Sequence, residues 1–201
     1  MTTQLRERTT ATEQEYAFIA HLTRLLEHPN RAAMAHLRRG LGKPPGTAYE
    51  MDRYILEKLP EGATTLDEQR YYLVASLFAQ WHQGKDSAQS LKGEWDTDRN
   101  VGRSLRLMVN QESPDKRENL EKSVEKRLNA LLNSHHDDLG HHLRRIVALL
   151  KARVVPLNWP QLLRDLRYWD AESRSVQHAW ARGFWIWGKA GQTEQRKEAR
   201  K

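Results

Sequence analysis

Residues 139–155, LGHHLRRIVALLKARVV, indicate a helical fold most clearly, because their apolar side chains recur at intervals of three and four residues. The stripe consists of Leu139, Leu143, Ile146, Val147 and Leu150. This spacing places the apolar side chains on one face of an α-helix, where a protein core can cover them. We therefore predict a helix with a buried apolar face and a basic outer face.

The same helical spacing recurs in other parts of the chain. Residues 66–84 (LDEQRYYLVASLFAQWHQG) and 173–187 (SRSVQHAWARGFWIW) each carry an apolar stripe of this kind. Proline and small polar residues mark further helix starts, at Pro114 after a serine and at Asn158 before Pro160. No segment alternates apolar and polar residues over a strand length. The sequence therefore predicts an all-α protein of about nine helices, with no sheet.

A polar, glycine-bearing segment, residues 82–98 (HQGKDSAQSLKGEWDTD), separates two helical regions. Such a composition is typical of a connection between compact units. We therefore expect two small helical bundles, an N-terminal lobe over residues 1–97 and a C-terminal bundle over residues 98–187. Residues 188–201 (GKAGQTEQRKEARK) carry no apolar stripe, and we expect a disordered basic tail there.

The composition excludes several classes of protein. The chain has 201 residues, of which 38% are hydrophobic and 29% charged, and it contains no cysteine. It therefore cannot form disulfides or use thiolates as nucleophiles or metal ligands. No run approaches the roughly 18 to 20 apolar residues needed to cross a bilayer, and the N-terminus has no apolar signal core. We expect a cytoplasmic protein that needs no cofactor or metal and contacts no membrane.

Positive charge is concentrated in a few segments of the chain. The formal net charge is +7 and the isoelectric point is about 9.7. Residues 31–43 and 141–153 each carry four lysines or arginines and no acid, and residues 189–201 carry five against two acids. Clusters of this kind are typical of proteins that bind polyanions, above all nucleic acid. Ordinary solvated helix faces are the alternative explanation.

Residues 134–145 (SHHDDLGHHLRR) raise the question of a metal site. In a helix, Asp138 and His142 lie one turn apart, a spacing that can offer ligands to zinc or manganese. The run is similar to the His-Asp pairs of metal-dependent phosphohydrolases, but the sequence has no second such pair to supply ligands from another helix. Ser134 and Asp137 also form the capping-box pattern that starts a helix, and we favour this interpretation.

Other catalytic signals are weak. The sequence contains no phosphate-binding glycine loop, no nucleophile-elbow motif and no paired-histidine zinc motif. We therefore predict that the protein is not an enzyme. Two alternatives stay open, a metal-dependent phosphohydrolase built on residues 135–142 and a helical scaffold that binds only proteins. Trp95, in the polar connection, is the tryptophan that we consider for stacking on unpaired bases.

Five stretches, in order along the chain, resemble one protein family. They are HLRRGLGKPPG (36–46), YYLVASLFA (71–79), VGRSLRLMV (101–109), the long stretch 123–170 and VQHAWARGFW (176–185). Together they are similar to the small subunit of the type I-E CRISPR surveillance complex, Cascade, known as the CasB family. The leucine-arginine helix followed by WPQLLRDLRYWD (159–170) is the most specific part of the resemblance.

The resemblance implies a helical protein of two small bundles without catalytic residues. Two copies would lie beside the backbone subunits that hold the guide RNA, with the large subunit also among their partners. They would stabilise the hybrid of guide RNA and target DNA, and the displaced single-stranded DNA. In that family a recruited helicase-nuclease does the cutting. Because exchanging a DNA duplex for an RNA–DNA hybrid is nearly balanced in free energy, such contacts can shift the exchange.

Ten basic side chains are our candidates for contacts to nucleic-acid phosphates. Arg38, Arg39, Arg144 and Arg145 follow the basic positions of the family. The others rest on charge and helical spacing, and they are Arg31, Lys43, Arg103, Arg106, Arg127 and Lys151. Phosphate contacts of this type are indifferent to base sequence and weaken steeply as the salt concentration rises.

Overall fold

The computed structural model describes residues 11–27, 32–43, 45–84 and 99–186. These residues form helices and turns and contain no strand. The nine α-helices within these ranges are α1 (Glu13–Glu27), α2 (Ala32–Arg39), α3 (Tyr49–Ile55), α4 (Thr65–Trp81), α5 (Val101–Asn110), α6 (Pro114–Leu132), α7 (Leu139–Ala152), α8 (Trp159–Arg167) and α9 (Ser175–Trp185). Two 3-10 turns lie at Leu56–Lys58 and His136–Asp138. The predicted all-α fold is confirmed for the described part of the chain.

The chain divides into two compact units. The first contains α1 to α4 and α8, and the second contains α5, α6, α7 and α9. The predicted C-terminal bundle, 98–187, differs from this division in one segment, because residues Asn158–Asp170 pack in the first unit. The expected tail, 188–201, lies outside the described residues.

Aromatic packing explains why α8 belongs to the first unit. The indole of Trp159 meets the rings of Phe78 and Trp81 edge to face, at centroid distances of 5.4 and 6.0 Å. Nε of Arg70 also donates a hydrogen bond of 3.2 Å to the carbonyl oxygen of Leu166. Helical periodicity shows which face of α8 is apolar, but the helix that covers this face is distant in the sequence and cannot be read from the spacing.

Helix α4 is the central element of the first unit. Its start is fixed by a capping box, in which Thr64 accepts from the backbone of Asp67 and Asp67 accepts from the backbone of Thr64. Ten of its residues between Arg70 and Trp81 are buried, so the helix is covered on nearly all sides. The ring of Phe18 on α1 packs 4.6 Å from that of Tyr71.

The second unit is held by a close crossing of α5 and α9. A Cβ atom added to Gly102 would lie 1.9 Å from the carbonyl oxygen of Trp180, and one added to Gly183 would lie 2.5 Å from Oδ1 of Asn100. The two glycines therefore let the helix backbones approach each other. Asn100 caps α5 by accepting from the backbone of Arg103, and its Nδ2 donates to the carbonyl of Ala179 on α9.

Two predicted helix starts are confirmed. Pro114 lies in the first turn of α6, and Asn158 caps α8 by accepting a 2.9 Å hydrogen bond from the backbone of Gln161. The capping box predicted at Ser134 is wrong. Helix α7 begins later, at Leu139, after a 3-10 turn, and the Ser134 hydroxyl donates to the carbonyl of Leu131 at the end of α6. The serine thus closes one helix instead of starting the next.

None of the helices in the described ranges is both long enough and apolar enough to cross a membrane.

Candidate nucleic-acid interface

Helix α7 has the two faces that its sequence predicts. The apolar stripe is buried and consists of Leu139, Leu143, Ile146, Val147 and Leu150. The outer face carries His141, Arg144, Arg145 and Ala148, all exposed, and Lys151, which is half-buried. Arg144 and Lys151 lie two turns apart on this face, with Ala148 between them. Nη1 of Arg145 lies 3.5 Å from Nε2 of His141.

The two arginines in the middle of α7 keep their charge available. Within the described residues, neither Arg144 nor Arg145 forms an ion pair with a carboxylate. Arg153, just beyond the helix, instead pairs with Glu112. Because α7 itself contains no acid, its outer face is a strip of positive charge with a small residue in the middle. A sugar-phosphate chain can approach such a strip closely.

A second basic group lies in the first unit. Arg38 and Arg39 are the last two residues of α2, and Arg38 is half-buried while Arg39 is exposed. Lys43, in the turn that follows, is also exposed. No acid occurs in α2 or in this turn. Arg31, the remaining member of the predicted group, lies outside the described residues. These side chains form a local cluster at one end of α2.

Arg106 has a structural environment that its sequence position did not reveal. The residue is only 6% exposed, and its Nε donates a 2.6 Å hydrogen bond to the carbonyl oxygen of Phe184. Its Nη2 lies 2.8 Å from Oε1 of Glu121, an ion pair without hydrogen-bond geometry, and its guanidinium lies 4.4 Å from the centre of the Phe184 ring. The charge of Arg106 is therefore used inside the second unit, and we remove this residue from the candidate set.

The two remaining candidates, Arg103 and Arg127, differ in how accessible they are to a ligand. Arg103 is half-buried, and the position of a Cβ atom on Gly183 would lie 3.2 Å from its Cγ, so its stem lines the crossing of α5 and α9. Arg127 is exposed on α6, where its Nη1 donates a 3.0 Å hydrogen bond to the carbonyl of Ser123 one turn earlier. Arg127 remains accessible to a ligand, while Arg103 is only partly so.

The first unit contains arginines that are used entirely for packing. Nη1 of Arg167 lies 2.7 Å from Oε1 of the fully buried Glu15, and its Nε donates to Asp67 at 2.9 Å. Nη1 of Arg164 lies 3.6 Å from the same Glu15 oxygen. Glu15 also accepts hydrogen bonds from the backbone and hydroxyl of Thr12. These contacts join α1, α4 and α8.

The pKa values of the two acids reflect this environment. Burial by itself raises the pKa of Glu15, but the hydrogen bonds from Thr12 and Arg167 and the charge of Arg164 outweigh it. The pKa of Glu15 is therefore below its ordinary value. Burial also raises the pKa of Asp67, and the hydrogen bonds from Thr64 and Arg167 lower it by more. Both carboxylates are thus held in their charged form.

The histidine run brings together a different set of residues from the one predicted. His135, His136 and Asp137 place their ligand atoms within 4.8 Å of one another. Nδ1 of His135 and Nε2 of His136 each lie 3.3 Å from an oxygen of Asp137, in the turn before α7. Among the residues that the structure describes, no other helix adds a histidine or carboxylate to this group. Three consecutive, largely exposed residues lack the multi-helix ligand set that the phosphohydrolase hypothesis requires.

Sequence comparison assigns most of the chain to a known family. Residues 33–185 match the family described as CRISPR-associated protein Cse2. The chain is also 34% identical over 168 residues to a CRISPR-associated protein Cse2 from Thermus thermophilus. That alignment covers 83% of this chain and 86% of the relative.

Solved structures share the fold. A Cse2-family crystal structure from Thermus thermophilus superimposes with a TM-score of 0.67 at 29% identity, over 85% of this chain and 97% of the other. A chain of a structure described as a CRISPR RNA-guided surveillance complex superimposes with a TM-score of 0.70 at 24% identity, over 92% of this chain and 98% of that one. At this lower identity the second likeness concerns the fold alone.

Proposed function

Because the chain belongs to the CRISPR-associated Cse2 family, we propose that it is a non-catalytic small subunit of the Cascade surveillance complex. In this role it binds nucleic acid without reading its sequence. Its ligands are the guide RNA–target DNA hybrid and the displaced DNA strand. Its protein partners are the backbone and large subunits and a second copy of itself. The match of residues 33–185 to the Cse2 family, and the 34% identity to a Cse2 protein from Thermus thermophilus, support this setting.

The basic outer face of α7 is the observation that carries the proposal. Arg144 and Arg145 are exposed without a carboxylate partner among the described residues, beside His141 and Ala148. Cations that have no partner in the fold repel one another, and a phosphodiester chain removes that repulsion while releasing its own counterions. The lack of a base-reading pattern on this face suits a protein whose target differs with every guide.

Two further groups are proposed as phosphate contacts, each within its own unit. The cluster of Arg38, Arg39 and Lys43 has the same composition as α7, with cations and no acid. Three further residues are secondary members of the set. Arg127 is exposed on α6 but hydrogen-bonded to Ser123, and Lys151 and Arg103 are half-buried. Arg31 stays in the set on its sequence position alone. Charge reversal in each group tests the proposal separately.

The proposal is tested by charge reversal on α7. We expect Arg144→Glu with Arg145→Glu to weaken binding of single-stranded DNA about tenfold or more in roughly 0.1 M salt, and to lower the slope of affinity against salt by about two. Fluorescence anisotropy over a salt series measures both quantities. The matched control reverses Lys122 and Lys126, two exposed lysines one turn apart on α6. The control variant should bind like the wild type.

Two outcomes would contradict the proposal. Wild-type protein that binds no single strand at low salt, either alone or in the assembled complex, would point to the scaffold that contacts only proteins. Cleavage of DNA by metal-loaded protein, abolished by substitution of His135 and His136, would point to the phosphohydrolase.

A second charge reversal, at Arg38 and Arg39, should weaken binding of single-stranded DNA without lowering the melting temperature.

A further inference from the structure

An exposed tyrosine in the first unit extends the proposed function. Four large apolar side chains are exposed in the described residues, and they are Tyr49, Leu56, Val154 and Ile186. Tyr49 is the one aromatic ring among them, and 75% of it is accessible. By contrast, Tyr71 and Tyr72 on α4 are almost completely buried. The ring of Tyr49 therefore adds nothing to the core and is presented to solvent.

A cation lies on the same face of the helix. Tyr49 is the first residue of α3, and Arg53 follows four positions later, so that their Cβ atoms are about 5–6 Å apart. The guanidinium of Arg53 is held in place, because its carbon lies 5.0 Å from the centre of the Tyr54 ring. Nη2 of Arg53 also lies 3.3 Å from Nδ1 of His36 on α2. An exposed ring and a positioned cation thus lie side by side.

Helix α2 joins this pair to the cationic cluster described above. His36 contacts Arg53, and Arg39 lies three residues after His36 on the same face of α2. Lys43 follows in the exposed turn. Arg53 is thus linked through His36 to the cations at the end of α2 and in the turn that follows.

Two acids on α3 modify that charge. Asp52 accepts a 2.6 Å hydrogen bond from the hydroxyl of Tyr72, so one of its oxygens is directed to the core of the unit. Glu50 is exposed next to Tyr49 and opposes an anionic ligand locally. Arg39, Lys43 and Arg53 outnumber these two carboxylates.

Tyr54 shows what a tyrosine used for folding looks like in the same helix. Its hydroxyl lies 3.2 Å from Nδ1 of His36, and its carbonyl oxygen lies 2.9 Å from Nε2 of His21. The guanidinium of Arg53 covers its ring. Tyr49 has none of these contacts in the described structure. The two rings, five residues apart, therefore have different uses.

We propose that Tyr49 stacks on an unpaired base of a single-stranded nucleic acid while Arg53 contacts a neighbouring phosphate. This inference rests on the proposed function and names the strand that the first unit prefers. Every base has a flat face, so stacking on tyrosine preserves the indifference to sequence that the arginines provide. A duplex offers no unpaired face, so the ring selects single strands over duplexes. Arginine next to the ring supplies the charge that brings the backbone into position.

The test compares two oligonucleotides of equal length, one with bases and one made of abasic sites. Both carry the same phosphates, so only the first can stack. We expect Tyr49→Ala in the full chain to weaken binding of the base-bearing strand about tenfold, within the range that stacking on one base gives. Binding of the abasic strand should not change. Tyr49→Phe should bind like the wild type, because it keeps the ring, and Tyr49→Leu should resemble Tyr49→Ala.

Matched controls separate stacking from loss of structure or of exposed apolar area. Leu56→Ala removes another exposed apolar side chain of the same unit and should leave both affinities unchanged. Glu50→Gln removes the opposing carboxylate and should tighten binding of both oligonucleotides by the same small factor. Melting temperatures of all variants should match the wild type, since none of these side chains is buried.

The outcomes distinguish this inference from the proposed function. If wild-type protein binds both oligonucleotides and Tyr49→Ala binds them equally well, the stacking inference is overturned and the basic interface stands. Equal losses on both oligonucleotides also overturn it, because phosphate contacts alone would explain them. If Tyr49→Ala keeps nucleic-acid binding but loses the other complex subunits, the surface is a protein interface. If wild-type protein binds neither oligonucleotide, the proposed function itself fails.

Discussion

Two pairs of arginines in this molecule have the same chemistry and opposite uses. On α8, Arg164 and Arg167 surround the buried carboxylate of Glu15. On α7, Arg144 and Arg145 are exposed and have no carboxylate partner among the described residues. The first pair stabilises a fold, because removing it would leave a buried charge without a partner. The second pair contributes little to the fold and is therefore free to serve a ligand.

In a basic helical protein, the arginines available to a ligand are those without a carboxylate partner in the fold. Net charge alone does not separate the two kinds of arginine, and neither does position on a helix. The distinguishing property is the presence of a carboxylate from another part of the chain. Arg106 illustrates the point, since its pairing with Glu121 removes it from the predicted interface. Four measurements test whether arginines with and without a carboxylate partner differ in this way.

The largest loss of stability is expected from substitution of an arginine that pairs with a buried carboxylate. Arg167→Ala removes the nearest cation from both Glu15 and Asp67. Breaking a buried ion pair costs about 3–5 kcal/mol of the free energy of unfolding. Urea denaturation followed by circular dichroism measures the loss. Arg167→Lys is the control, because it keeps the charge but not the planar fork, and its loss should be smaller. A loss below about 1 kcal/mol would remove the distinction between the two pairs.

The second largest effect is expected from acid, which should lower the stability that the ion pairs of Glu15 and Asp67 provide. The pKa values of Glu15 and Asp67 lie below the ordinary values of 4.5 and 3.8. The unfolded chain therefore binds more protons than the folded chain in this range. The stabilisation is fully present above about pH 5 and is lost as the pH falls through the lowered pKa values. Urea midpoints between pH 7 and pH 3 should fall for the wild type.

Glu15→Gln supplies the control for the acid effect. The variant is less stable at pH 7, but its stability should depend less on pH below the ordinary carboxylate range. Parallel pH curves for the wild type and the variant would show that Glu15 does not titrate in the way its contacts indicate. Variants of Arg144 and Arg145 should keep the wild-type pH curve, because those arginines hold no acid in the described structure.

A smaller effect of opposite sign is expected just after α7. The helix ends in a Schellman motif, in which the backbone of Val155 donates to Leu150 and that of Val154 donates to Lys151. The motif requires a left-handed residue, and Val154 occupies it with φ 54° while remaining 76% exposed. Val154→Gly should raise the free energy of unfolding by about 1 kcal/mol.

The control at position 154 keeps a side chain in the left-handed conformation. Val154→Ala also carries a Cβ and, without β-branching, should recover only part of the gain. A thermal melt that shows no gain for glycine would indicate that the turn after α7 is not strained. The α7 arginines are unchanged in both variants, so binding of nucleic acid should stay at the wild-type level.

The smallest effect on stability is expected on the unpaired side. Arg144→Ala and Arg145→Ala remove exposed charges, and each should change the free energy of unfolding by less than about 0.5 kcal/mol. Each should nevertheless weaken binding of single-stranded DNA and reduce the salt slope by about one. Losing stability without losing affinity would reverse the assignment of the two pairs.

Much of the fold could be predicted from local patterns. The stripe of α7 is buried as its spacing predicts, and Pro114 and Asn158 start their helices where expected. The family resemblance agrees with the match to the Cse2 family. These successes share a cause, because helical periodicity and capping depend on residues within one or two turns.

The errors concern contacts between distant residues. Nothing in the spacing of residues 101–109 shows that Arg106 meets Glu121 and Phe184. The capping boxes are the local exception, because Ser134 with Asp137 and Thr64 with Asp67 have the same spacing and only the second pair caps an α-helix. Tyr49 was not singled out, because an aromatic residue is usually buried and its exposure is visible only in the folded chain. Trp95, considered for stacking, lies outside the described residues.

The helices, their apolar faces and the concentration of positive charge can be predicted from the amino-acid sequence, since each depends on neighbours along the chain. Which positive charges remain available to a ligand is visible only in the folded chain. Whether a guanidinium is neutralised depends on a carboxylate brought from far along the sequence, as Glu15 is brought to Arg167. Burial of that contact is a property of the assembled core, and it separates the arginines that hold the fold together from those that can bind nucleic acid.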